Sequence, residues 1–223
     1  MLEKLNFEVG RIPFEGTEVD DVRERDLYKA NQLWKDGKYR GALLCYDSVI
    51  SDALKQMAGP WNRTSELCVA YLNKMQLLQK LFRANKLWSI DDCQNLFDLY
   101  DSYIKTLDGI SRQAKRAEIR PETPLYTKSL LLIEKGKLTQ LLTDVSAAMP
   151  IYEAALSVIN ELIAINSTDD RYYYDKGIHL SRMRKNQEAL EPLRIAKELS
   201  TSKWLLEDID YALEAIQKGS NFF

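Results

Sequence analysis

The fold is decided by residues 26–53, which read DLYKANQLWKDGKYRGALLCYDSVISDA. Apolar residues recur at helical spacing on both sides of Gly37, so the stretch predicts two amphipathic helices joined at residues 36–38. Gly37 lies where the first helix must stop, because glycine adopts the left-handed conformation that ends helices at little steric cost. The small residues Ala30 and Ala42 suit a close approach of the two helices.

The order of small and large residues in this stretch resembles the tetratricopeptide repeat (TPR), a pair of antiparallel helices about 34 residues long. The family pattern has a small residue in the first helix, a glycine at the turn, and small and large residues along the second helix. The matching residues are Ala30, Gly37, Tyr39, Ala42 and Tyr46, with Val49 where the family has alanine. One repeat cannot bury its own apolar face, so the rest of the chain must supply further helices.

A second stretch with the same order is residues 171–199. Its matching residues are Tyr173, Gly177, Leu180, Ala189, Leu193 and Ala196. Arg184 and Asn186 replace the turn glycine and the tyrosine that follows it. The small residue of the first helix and the alanine of the second lie twelve residues apart in both stretches, Ala30 to Ala42 and Gly177 to Ala189. The resemblance implies an all-α, right-handed helical solenoid of three to four helix pairs.

The sequence between and after these repeats predicts further helices, with the register of residues 60–150 left open. Capping residues, glycines and apolar stripes predict them at residues 65–84, 89–109, 123–136, 137–165 and 201–219. Pro150 would interrupt or kink the fourth of these. The last carries Trp204 on its apolar stripe and resembles the capping helix that shields a final repeat.

The overall composition and charge narrow the class of protein and its expected location. The 223 residues are 45% hydrophobic and 29% charged, an ordinary globular balance. The formal net charge of −2 gives no general attraction to nucleic acid or acidic membrane. We see neither a basic-then-apolar leader nor an apolar run of about 18 residues, so we expect no membrane span and a cytoplasmic location, with the nucleus as the alternative. The three cysteines are expected to be buried free thiols.

The first twenty residues differ from the remainder. Leu5, Phe7 and Val9 alternate with polar residues, which favours an extended arm over a helix. We expect residues 1–20 to pack on the body or on another molecule. Residues 21–223 are expected to form a single TPR-like domain.

Catalytic and metal-binding patterns are poor. The chain has one histidine, His179, inside the first helix of the last repeat, where a histidine is more often structural than a general base. No cysteine and histidine cluster has metal-ligand spacing, and no glycine-rich loop could hold phosphate. We therefore expect no enzyme activity, no cofactor and no metal ion.

The resemblance instead implies a non-catalytic interaction module or adaptor subunit, which binds a peptide or helix of another protein in a concave groove lined by first helices. Its oligomeric state is left open. Of the tyrosines at 172–174, we expect Tyr173 in the core and Tyr174 toward the groove, where it could anchor a partner. The alternative is that these tyrosines fill gaps against the preceding helix. The candidate partner-binding residues are Leu27, Tyr28, Asn31, Lys35, Asn73, Arg171, Tyr174, Asp175, Ile178 and Arg182.

One alternative is a groove of the co-chaperone type, which grips a C-terminal carboxylate. Asn31 follows the small residue as in the first repeat of that subset, and residues 71–74 resemble a run in its second repeat. Amide and ammonium donors suit a carboxylate because charge-assisted hydrogen bonds are strong. Leu27 and Asp175 stand where that subset has basic residues, which argues against this reading.

A different alternative is a nucleic-acid or phosphate-binding helical protein that uses the basic segment 112–120. We regard it as the weaker class, because a solvated helix end also explains a run of basic residues. The residues concerned are Arg112, Lys115, Arg116, Arg120, Arg182, Arg184 and Lys185.

Overall fold

The structure is a computed structural model that describes residues 22–56, 64–84 and 90–218. Over these ranges it contains nine helices and no strand, which confirms the all-α prediction. The helices are α1 (Val22–Lys35), α2 (Tyr39–Gln56), α3 (Thr64–Ala84), α4 (Ile90–Arg116), α5 (Glu122–Leu142), α6 (Val145–Ile165), α7 (Asp170–Arg182), α8 (Asn186–Leu199) and α9 (Lys203–Gln217). The predicted arm, residues 1–20, lies outside the described residues.

Contacts divide the chain into two compact units, Met1–Cys93 (unit 1) and Gln94–Phe223 (unit 2). In unit 1, α1 and α2 form a helical hairpin and α3 packs on both. In unit 2, α5 with α6 and α7 with α8 form successive hairpins, and α9 packs on α8. The boundary falls near the start of α4, so the single-domain organisation stays a prediction.

Small residues stand where paired helices approach most closely. Ala30, Ala42 and Ala189 have no exposed surface. A Cβ added at Gly177 would lie 2.5 Å from Cγ of Leu193, so α7 and α8 could not pack as they do with a larger residue there. The twelve-residue interval common to both repeats therefore marks the contact between the helices of a pair.

Two helices are longer than the sequence predicted. Gly109 and Gly136 were expected to end α4 and α5, but both lie inside their helices. A glycine that ends a helix commonly adopts the left-handed conformation, and neither residue does so. Gly136 instead makes room for α6, because a Cβ there would lie 2.7 Å from Cδ1 of the buried Tyr152 ring.

Three helices do end on a left-handed residue. Gly37 has φ 74°, Arg184 has φ 61° and Glu118 has φ 56°. In each case the amide of the following residue donates to the carbonyl five residues earlier, at 2.8–2.9 Å. This hydrogen bond is the Schellman pattern that closes a helix C-terminus. Arg184 thus keeps the backbone conformation of the turn glycine it replaces.

Candidate functional site

One side of α7 carries the best candidate for a binding site. Arg171, Asp175, Ile178 and Arg182 recur at i, i+4, i+7 and i+11 and therefore share one side of the helix. Gly177, on another side, packs against α8. The stripe is bordered by α5, whose Tyr126 ring lies 5.7 Å from the guanidinium carbon of Arg171.

Arg171 is held by the residue that caps its own helix. Asp169 accepts a hydrogen bond from the backbone amide of Arg171, at 3.1 Å. The same carboxylate accepts two more from the Arg171 guanidinium, at 2.9 and 2.5 Å. This bidentate pairing raises the pKa of Arg171 and fixes the side chain against the Tyr126 ring. A ligand carboxylate would have to compete with Asp169 for this cation.

Asp175 is the acid of the stripe, and its pKa is strongly shifted. Burial raises its pKa to about 7, although a hydrogen bond from Tyr126 and the positive charges of Arg171 and Lys137 oppose the rise. Its Oδ2 atom is buried and has no hydrogen-bond partner among the described residues. The carboxyl group therefore changes charge near neutral pH and has an acceptor atom that the described contacts do not satisfy.

His179 lies one turn further along α7 and is closed off from solvent, with 2% of its surface exposed. Burial and the nearby charge of Lys137 lower its pKa to about 3. The imidazole ring is therefore neutral over the physiological pH range and does not take up a proton there. This supports its interpretation as a structural residue.

Two of the predicted partner-binding residues belong to the core, which corrects the prediction for them. Leu27 is 8% exposed and Ile178 is 6% exposed. Ile178 packs in a cluster with residues of α8 and α9, so its apolar side chain is already removed from water. Helical periodicity alone does not separate a groove position from a core position when the helix is covered on several sides.

The three consecutive tyrosines are also placed differently from the prediction. Tyr172 is the buried one, and its ring lies 5.5 Å from that of Tyr126 in a cluster with residues of α5 and α6. Tyr173 and Tyr174 are partly buried, and both pack on the cluster of α7, α8 and α9. Tyr174 was predicted to lie toward the groove; in the structure it packs beside α9, where Asp208 raises its pKa.

Apart from Leu27, the predicted partner-binding residues of unit 1 form two pairs, one exposed to solvent and one joined by a hydrogen bond. Tyr28 is 65% exposed and Lys35 is exposed as well. Asn31 Oδ1 accepts hydrogen bonds from the Tyr46 hydroxyl at 2.5 Å and from Nδ2 of Asn73 at 2.9 Å. The structure thus brings the two asparagines together, but as partners of each other.

Sequence reasoning missed the aromatic residues of α9. Trp204 was expected on the apolar stripe of this helix but is 54% exposed, and Tyr211 is 64% exposed. The core stripe is instead Leu205, Ile209, Ala212 and Ile216. A signal was present, because Trp204 and Tyr211 are seven residues apart and lie on a different side from that stripe.

The basic segment 112–120 shows an ordinary solvated helix end. Its arginines and lysine are exposed in the last turns of α4 and just after it, and Lys115 forms an ion pair with Glu161. Among the described residues, no group of three or more acidic, histidine or cysteine side chains could hold a metal ion. The three cysteines are free thiols, and Cys68 is buried while Cys45 and Cys93 are partly exposed.

In the described part of the chain, α6 is the one helix whose length and apolar composition would allow it to cross a membrane. A helix enclosed by neighbouring helices meets the same criteria. Tyr152, Ala155, Ile159 and Leu162 of α6 are buried between α5 and α7. Packing within unit 2 therefore accounts for part of the apolar character of this helix, since 33% of its most apolar window is buried.

The chain is similar in structure to a thermophilic TPR protein of Thermus thermophilus, known from its crystal structure. The TM-score is 0.51, the sequence identity is 16%, and the likeness covers 88% of this chain and 82% of that one. No protein-family model and no curated protein matches the sequence. The similarity shows that the chain has a TPR-like fold.

Proposed function

We propose that the chain is a non-catalytic interaction module, an adaptor that holds a segment of a partner protein against unit 2. The surface concerned is formed by α5, α7 and α9, and we call it the first-helix face. Its defining side chains are Tyr126, Arg171, Asp175, Arg182, Trp204 and Tyr211.

The observation that carries this proposal is the stripe along α7. It carries three charged side chains, Arg171, Asp175 and Arg182, beside Ile178, which packs on α8 and α9. The buried Oδ2 atom of Asp175 has no hydrogen-bond partner among the described residues.

On α9, the aromatic side chains of Trp204 and Tyr211 are exposed on the same side of the helix as Asp208, which lies close enough to Tyr174 of α7 to raise its pKa. Aromatic anchors beside a few fixed polar groups are the usual composition of a protein-binding surface. TPR-like folds also present extended surfaces to partners.

Site-specific photo-cross-linking of the intact chain tests this proposal. A photoreactive amino acid would be placed at Arg182 on the first-helix face or at Arg194 on the exposed side of α8. We expect one partner protein to be captured repeatedly from position 182 and not from position 194. Equal capture from both positions, or none from 182, would contradict the proposal.

A second candidate is recognition of a C-terminal carboxylate in unit 1, favoured by the meeting of Asn31 and Asn73 at 2.9 Å. Both amides would have to exchange their mutual hydrogen bond for bonds to the ligand. A peptide with a free terminal carboxylate should then bind more tightly than its amidated form. The preference should disappear in the Asn31→Ala, Asn73→Ala double variant, and a wild type that does not distinguish the two peptides would exclude this function.

A further inference from the structure

One side of α9 combines two exposed aromatic rings with the carboxylate of Asp208, which lies close enough to Tyr174 of α7 to raise its pKa. Trp204, Asp208 and Tyr211 lie at i, i+4 and i+7, so they follow one another along one side of the helix. Trp204 and Tyr211 stand about 10 Å apart along the axis, because an α-helix rises 1.5 Å per residue. A partner side chain that entered between the two rings would therefore lie beside Asp208.

The other acids of α9 form ion pairs with lysines, whereas none is found for Asp208 among the described residues. Lys203 pairs with Glu207, Lys197 pairs with Asp210, and Lys218 pairs with Glu214. The ion pairs found among the described residues include none for Asp208. Burial and the neighbouring Glu207 raise its pKa, which means that the surroundings disfavour the negative charge.

A second carboxylate acts on the same strip from α7. Asp208 and Asp175 both raise the pKa of Tyr174, which lies between them and is also raised by burial. The buried Oδ2 atom of Asp175 has no donor among the described groups. Two acids from neighbouring helices therefore lie close to one tyrosine. Arg171 and Lys137 oppose the charge of Asp175, whereas the ion pairs found among the described residues include none for Asp208.

Aromatic faces and carboxylates attract the same kind of ligand. The face of an indole or phenol ring carries partial negative charge and attracts a cation, and a carboxylate pairs with ammonium or guanidinium groups. We propose that the strip formed by Tyr174, Trp204, Asp208 and Tyr211 binds a lysine or arginine side chain of a partner segment. This inference rests on the proposed function and adds that the partner segment is basic.

Three synthetic peptides with blocked ends test the proposal on the intact chain. They have the repeated sequences Leu-Lys-Lys-Ala, Leu-Gln-Gln-Ala and Leu-Glu-Glu-Ala, three repeats each, and carry a fluorescent label for anisotropy titration. We expect the lysine peptide to bind about tenfold more tightly than the glutamine peptide, the difference that one well-placed cation provides. The glutamate peptide should bind most weakly.

Variants then locate the binding. Asp208→Asn and Trp204→Ala should each weaken binding of the lysine peptide about three- to tenfold. Asp210→Asn is the matched control, since it removes the same charge from a residue that pairs with Lys197 on another side of α9, and it should leave the affinity unchanged. Absence of binding, equal binding of the three peptides, or equal effects of the two aspartate variants would overturn the proposal.

The two levels of proposal fail separately. If photo-cross-linking from position 182 captures a partner whose cross-linked segment has no lysine or arginine, the first-helix face binds a partner but the basic specificity is wrong. If position 182 captures nothing while the lysine peptide binds in the predicted way, the strip recognises cations but the proposed partner function is wrong.

Discussion

Glycine-to-alanine substitution at two helical positions tests how the hairpins of unit 2 pack. Gly109 lies in α4 with nothing within 4 Å of an added methyl group, whereas the same methyl group at Gly136 would lie 2.7 Å from Cδ1 of Tyr152. Carbon atoms in contact are normally about 3.5–4.0 Å apart, so the ring would have to move by about 1 Å. Tyr152 has no exposed surface, and its hydroxyl donates to Gln140 at 2.8 Å, which holds the ring in place.

The expected changes in the free energy of unfolding have opposite signs. Alanine is favoured over glycine inside a helix by about 1 kcal/mol, so Gly109→Ala should stabilise the protein by about 0.5–1 kcal/mol. Gly136→Ala gains the same helical contribution of about 0.5–1 kcal/mol but loses about 1–3 kcal/mol to overpacking, so we expect a net destabilisation of up to about 2.5 kcal/mol. Urea unfolding followed by circular dichroism measures both, with the wild type as the reference.

A second substitution shows whether the ring is the cause. In a Tyr152→Leu background the side chain is smaller, so Gly136→Ala should lose most of its penalty. Residues in contact typically couple by about 0.5–3 kcal/mol in such a cycle. Stabilisation by Gly136→Ala equal to that at Gly109, or no coupling with Tyr152, would refute the close approach of α5 and α6.

Three further predictions concern single groups. Arg184→Gly should stabilise the protein by about 0.5–1 kcal/mol in thermal or urea unfolding, because a left-handed conformation is costly for a residue with a side chain. Asp175 has a folded-state pKa of about 7, above its unfolded value, so the free energy of unfolding of the wild type should fall as the pH rises from about 4 to about 7. The fall should amount to at most about 4 kcal/mol by pH 8, and Asp175→Asn should remove it. Parallel pH profiles of the wild type and the variant would contradict this prediction. Tyr46→Phe removes the hydrogen bond to Asn31 and should cost about 1 kcal/mol in urea unfolding, whereas an unchanged midpoint would mean that the bond contributes nothing.

The hairpins at both ends could be predicted from sequence because the decisive signals are local. Ala30 and Ala42 set the close approach of one pair, and Gly37 sets its turn through a backbone conformation that glycine favours. Arg184 shows the limit of the second signal, since tertiary packing imposes the same conformation on a residue that does not favour it. Gly136 shows another limit. The sequence alone does not distinguish a glycine that makes room for a neighbouring helix from a glycine that ends the helix in which it lies.

The candidate site was predictable in position but not in detail. The stripe of Arg171, Asp175 and Arg182 follows from helical spacing, whereas the pairing of Arg171 with Asp169 depends on how the capping residue is oriented. Trp204 of α9 was assigned to the apolar stripe because apolar residues there span more than one side of the helix, and Tyr211 was not singled out. Only the position of α8 decides which side is covered.

Hydroxyl-radical footprinting of the intact chain, with and without the partner captured by cross-linking, tests the central claim most directly. Trp204 and Tyr211 are exposed on the first-helix face, and Tyr28 is equally exposed in unit 1. The account predicts that the partner lowers oxidation of Trp204 and Tyr211 and leaves Tyr28 unchanged. Protection of Tyr28 with full oxidation of Trp204 and Tyr211 would contradict it.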